Sequence, residues 1–200
     1  MSEWKLKGKP GLILVHMQHG VVGQEGGLAM FNHARAAKEA GIIPHQQALL
    51  YGFREKKLPI VYVLAVNEPT TIFPAYGTSW KKMESSRANL RGSKDVEVIP
   101  ELAPQPGEPV ISNWLLNSFS NSNLDQILKE YGIETVVIVG VATATAVLPA
   151  VIGATDSGYS VIVPKNASIS AHTREHEVIM NDILPRLSLV TTAEDVLAHI

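Results

Sequence analysis

The chain reads as an α/β protein: a three-layer α/β/α sandwich around a six-stranded, mostly parallel sheet. Three observations carry that reading. Six short runs are apolar throughout instead of alternating, the pattern of strands buried on both faces. Segments with helical spacing separate most of these runs, as parallel strands require. The composition, 46% hydrophobic and 18% charged over 200 residues, supplies enough apolar material for a core on each side of a sheet.

Taken in order, GLILVHM (11–17) follows Lys9-Pro10-Gly11 and makes a strand buried on both faces. Residues 18–30, rich in Gly, Gln and His, read as a loop, with Gly23, Gly26 and Gly27 as flexible connection. Residues 31–57 carry helical segments punctuated by Gly41 and Pro44, with Leu49, Leu50 and Phe53 at helical spacing. PIVYVLAV (59–66) is the second strand. Residues 67–107 hold five of the twelve prolines and read as a long irregular excursion. PVIS (109–112) is a short strand. SNLDQILKEYGI (122–133) is an amphipathic helix that Ser122 or Asn123 can cap and Gly132 can end in the left-handed conformation. TVVIVGV (135–141), the most β-branched run, is the central strand. YSVIVP (159–164) and SLVTT (188–192) complete the sheet.

The layering is Rossmann-like, so a site is expected beyond the carboxyl ends of the strands. That directs attention to His16–His19, Asn67–Pro69, Asn113–Phe119, Val141–Ala146 and Lys165–Ser168. The length fits one domain, 1–200. A net charge of −2 provides no basic face, so neither nucleic acid nor an anionic membrane is an expected partner. The start MSEWKLKGKP is charged, and the run Leu12–Val15 after it is too short for a leader or a membrane span, which suggests a cytoplasmic protein.

The chain contains no cysteine, which excludes disulfides, thiolate metal sites and a thiol nucleophile. No metal is expected. His172 and His176 share helical spacing but lack a third ligand, and read as solvated; His16 and His19 follow the first strand. Neither GxGxxG nor GxxxxGK[ST] occurs, so no nucleotide and no other cofactor is implied. Ser112, Ser118, Ser120, Thr143 and Thr145 are weak nucleophile candidates, because no GxSxG elbow is present. Gly140–Ala146 takes a strand directly into a helix with small residues, where exposed N–H groups can face an anion or a developing oxyanion. The helix over 146–154 is apolar nearly all round, which points to a homo-oligomer interface, dimer or tetramer. Pro149 implies a late helix start or a kink.

Taken together, LILVHMQHGVV, KKLPIVYV, VIPELAPQPGEPVISNWLLNSFSNSNLDQIL and GIETVVIVGVATATAV, with DSGYSVIVPKNASIS and LVTTAEDVL, resemble the isochorismatase-like cysteine hydrolase superfamily, of the nicotinamidase and N-carbamoylsarcosine amidase type. The resemblance covers nearly the whole chain. It implies a six-stranded parallel sheet, frequent oligomers and amide hydrolysis by an Asp base, a Lys and a Cys nucleophile. Carried onto this sequence, those positions hold His16, Asn113 and Ala146. The resemblance further implies a cis peptide at Val141–Ala142 and oxyanion donors at the N–H groups of Ala142 and Ala146. The zinc-binding Asp-x-His of nicotinamidases has no counterpart in Val66-Asn67-Glu68-Pro69.

The expectation is a family member without the usual triad, inactive as a cysteine amidohydrolase, that keeps a small-molecule pocket. Trp114, Phe119, Val141, Ala142 and Thr143 are the expected ligand-binding residues. Two alternatives stand beside it. One is a hydrolase with rewired chemistry, in which His16 is general acid or base on a small amide, ester or enol ether and Asn113 holds the substrate. The other is an oligomeric, partner-binding subunit.

Overall fold

The computed structural model describes residues 4–200, so the first three residues of the expected domain lie outside the described residues. In chain order the regular elements are β1 (Lys9–Val15), α1 (His19–Val22), α2 (His33–Ala40), α3 (Ile42–Glu55), β2 (Ile60–Leu64) and α4 (Thr78–Ser86). They continue with β3 (Val110–Ser112), α5 (Leu124–Glu130), β4 (Ile133–Val141), α6 (Leu148–Asp156) and β5 (Ser160–Pro164). The chain closes with β6 (Ser168–Ile169), α7 (Thr173–Val178), β7 (Leu189–Thr191) and α8 (Ala193–Leu197).

All six expected strands form, in the order β3-β2-β1-β4-β5-β7, and every pair is parallel. A seventh, β6, pairs with the end of β4 beyond β5. Two residues are too few to leave a periodic signal, which is why the sequence reading stops at six.

Side chains of β1 and β4 alternate between two cores. Leu12, Leu14, Val137 and Val139 face the first, with Leu49, Leu50 and Phe53 of α3 and Val196 of α8. Ile13, Val15, Val136 and Ile138 face the second, with Leu124 and Leu128 of α5 and Ala150, Val151 and Ala154 of α6. Both faces are therefore apolar, and the strands read as continuous hydrophobic runs.

This packing corrects the reason given for an interface at 146–154. Ala146, Val147, Ala150, Val151 and Ala154 are fully buried in the chain's own second core, which also contains Ile179, Met180 and Leu184. Most of the apolar face of this helix is enclosed by its own domain, with Ile152 left exposed. Pro149 falls in the first turn of α6, directly after a π-helical turn, Thr143–Val147. Helical backbone therefore begins before Pro149, which sits where the π-helical turn passes into α6.

Two other stretches differ from expectation. The excursion 67–107 contains α4, whose apolar positions are too few to announce it. The 23–27 glycines are closely packed rather than loose: a Cβ on Gly26 would lie 2.0 Å from the His19 carbonyl oxygen. Elsewhere, Ser122 Oγ accepts from the Leu124 N–H at the start of α5, and Gly132 follows the helix with φ +65°. The Arg54 guanidinium forks onto Glu108 at 2.8 and 2.9 Å and reaches the Tyr62 hydroxyl at 3.2 Å.

The strand order reverses between β1 and β4, and this switch point fixes where a site can form. Val15 pairs with Gly140 there. A Cβ on Gly140 would sit 2.1 Å from the Val15 carbonyl oxygen, and its φ is +143°, so glycine is required on both counts.

Candidate functional site

Beyond the ends of β1 and β4 lies a cavity of about 410 Å³. Its floor is His16, Ala65, Val141 and Ala142, which follow or end the three central strands. One wall is aromatic, with Phe31, Trp80 and Trp114; the other carries His172, Glu175 and Thr145. His33 and Leu28 close a third side.

The floor is held by backbone-directed bonds. Gln18, fully buried, donates from Nε2 to the carbonyls of Ala65 at 2.8 Å and Asp95 at 3.0 Å. Its Oε1 accepts from the Ala65 N–H at 2.7 Å. One side chain thus joins the ends of β1 and β2 to the 95 loop. In the aromatic wall, Trp114 meets Phe73 edge-on at 5.9 Å and Trp80 at 6.4 Å.

His16 directly follows β1 and has φ +57°, the left-handed region that few side chains adopt. Its N–H bonds the Val63 carbonyl at 2.8 Å, which anchors this conformation. Its Nε2 is buried without a hydrogen-bond partner, and so is Nδ1 of His33. Burial, reinforced by His33, lowers the His16 pKa to about 4. Burial, reinforced by His172, lowers that of His33 to about 4 as well. Both imidazoles are neutral at pH 7. The Val141–Ala142 peptide is cis.

Of the three positions that the resemblance matched to the family triad, His16 alone lines the cavity. Asn113 is buried and turned into its own loop: Nδ2 donates to the carbonyls of Asn117 and Ser120, both at 3.0 Å, and Oδ1 accepts from the Leu115 N–H at 2.8 Å. Its polar ends are engaged, so the expectation that it holds a substrate gives way to a loop-closing role. Ala146 is fully buried in the second core and does not line the cavity. Its N–H donates to the Ala142 carbonyl at 2.9 Å, so it is not the open oxyanion donor the resemblance implied.

Of the expected ligand-binding residues, Trp114, Val141 and Ala142 line the cavity; Phe119 and Thr143 do not. Phe119 packs against Tyr159, ring centres 6.0 Å apart. Thr143 is fully buried, its Oγ1 2.8 Å from His176 Nδ1. His176 is therefore not a solvated histidine: it is half-buried, and burial lowers its pKa. His172 is exposed and borders the cavity. Sequence reasoning missed His33, Trp80 and Phe31 as lining residues, because they come from connecting segments whose course over the sheet no periodicity reveals.

The isochorismatase domain model matches residues 10–195. The chain belongs to the isochorismatase family. It is 26% identical to the uncharacterized isochorismatase family protein YwoC of Bacillus subtilis, over 96% of this chain and 94% of that protein. It is 28% identical to the maleamate amidohydrolase of Pseudomonas putida, a match that covers 63% of this chain and 60% of that enzyme. The fold is shared with a cysteine hydrolase from Pseudomonas syringae pv. phaseolicola at TM-score 0.82, with 21% identity over 96% of this chain and 92% of that one.

Proposed function

We propose that this isochorismatase-family chain does not perform cysteine amidohydrolase chemistry and instead keeps the cavity as a small-molecule binding site. The observation that carries this is Ala146. A buried methyl group stands where the family nucleophile is expected, outside the cavity, with its N–H engaged in the helical turn. A methyl group cannot attack a carbonyl, and the engaged N–H is not aimed at a developing oxyanion. Asn113 carries no charge and is satisfied within its loop.

The test is release of ammonia from maleamate, N-carbamoylsarcosine and nicotinamide by the purified chain. No release above background is expected. Turnover that disappears in His16→Asn overturns the proposal. That result would support a second reading, favoured by the unpartnered Nε2 of His16, in which a neutral imidazole acts as general base on a small amide, ester or enol ether. Its rate would fall as pH drops toward 4, where His16 becomes protonated.

A further inference from the structure

The binding role proposed above leaves open the charge of the ligand, and the cavity walls decide it; the ligand class they favour rests on that role. No lysine or arginine is among the lining residues, and Glu175, exposed, is the sole carboxylate. His16 and His33, with pKa values of about 4, add no positive charge at pH 7. An anion entering this space meets no guanidinium or ammonium to replace its lost water. A cation meets the Glu175 carboxylate on one wall.

On the other wall it meets rings. Trp80 and Trp114 both border the cavity, their ring centres 6.4 Å apart and their planes at 75°, a near-perpendicular corner. The face of an aromatic ring attracts a cation within about 6 Å of its centre, and indole does so most strongly. Lys82 already stands over the Phe31 ring in this way, 5.5 Å from its centre, without lining the cavity. Phe31 is thus engaged, and the two indoles are left for a ligand. Leu28, Met83 and Leu116 make much of the remaining surface apolar. An ammonium with N–H groups would leave them unpaired against such surface, whereas a fully methylated nitrogen has none to satisfy. A cavity of about 410 Å³ has room for a trimethylammonium group on a short chain.

We propose that the cavity takes a quaternary ammonium ligand, its methylated nitrogen in the corner of Trp80 and Trp114 and its charge balanced by Glu175. The probes are choline, its neutral carbon isostere, in which a quaternary carbon replaces the nitrogen, and tert-butylacetate, the anion of similar shape. Each is titrated into the full chain at pH 8, above the usual titration range of imidazole, by calorimetry. Indole fluorescence is a second readout, since two of the three tryptophans border the cavity. Choline is expected to bind at least tenfold more tightly than the carbon isostere, and tert-butylacetate most weakly. Glu175→Gln, at an exposed side chain, should weaken choline at least threefold and leave the isostere unchanged. Trp114→Leu should weaken choline at least tenfold with an unchanged circular dichroism spectrum, and Glu175→Gln decides the matter if that variant fails to fold. Equal binding of choline and the isostere overturns the inference while leaving the cavity a binding site. Tighter binding of tert-butylacetate, failure of choline at millimolar concentration, or choline affinity unchanged in both variants also overturns it. None of these readouts involves turnover, so ammonia release would remove the proposed function without deciding the charge preference.

Discussion

His16 combines two unfavourable features at one position: a left-handed backbone and a buried ring nitrogen without a partner. The backbone conformation alone costs a side chain about 1 kcal/mol or more. Such features persist where the surroundings hold them, here through the bond from the His16 N–H to Val63. Burial holds its pKa near 4, below the ordinary 6.5, so the unfolded chain takes the proton more readily than the folded one. Stability is therefore flat above about pH 6.5 and declines as pH falls toward 4, by on the order of 3 kcal/mol for this group alone. His33 adds to the same slope, while His172 and Glu175 also border the cavity. Urea unfolding at pH 7.5 and pH 4.5 measures the decline, and His16→Asn, which tolerates the left-handed region, should flatten it.

The element that sets the site's shape is the turn from β4 through Thr143–Val147 into α6. Three contacts fix it from outside: Ser168 Oγ accepts from the Gly140 N–H, Ser170 Oγ from the Ala144 N–H, and Thr143 Oγ1 meets His176. Thr143→Val keeps the shape and removes the last of these. It should cost about 1 kcal/mol in chemical denaturation and speed amide exchange across α7, with no effect on cavity binding. This element also shows where sequence is informative. The run 135–141 and the small residues after it announce a strand that turns sharply into a helix, and they do so because burial on both faces dictates composition. The direction of individual side chains is not dictated that way. Asn113 sits at a strand end, as a ligand would, yet it closes a loop, because amide geometry can satisfy nearby backbone as readily as a substrate. Thr143 turns to His176 and Phe119 to Tyr159 instead of the cavity, and His33 is invisible because its place depends on how a connecting segment crosses the sheet.

Across the whole molecule, the fold places two different layers on the two faces of one sheet. The layer over the second core leaves Ile152, Val178 and Ile183 exposed at 41%, 41% and 36%. Self-association through α6 would engage Ile152, the large apolar residue of this helix that stays exposed. Ile152→Asp should then shift the light-scattering mass toward the monomer while circular dichroism is unchanged; an unaltered mass places any interface elsewhere. Among the described residues, no helix is long and apolar enough to cross a membrane. The opposition between the cavity's floor and its wall has a kinetic meaning. Gln18 locks the floor by three hydrogen bonds, whereas Trp80 and Trp114 are held to Phe73 by ring contacts that reform after small displacements. A molecule held in the proposed site would therefore meet a fixed floor and a wall of packed rings. Trp80→Ala is then expected to change the rate at which a small molecule exchanges with the cavity, read by stopped-flow fluorescence, while amide exchange at Gln18 and Ala65 stays as it was.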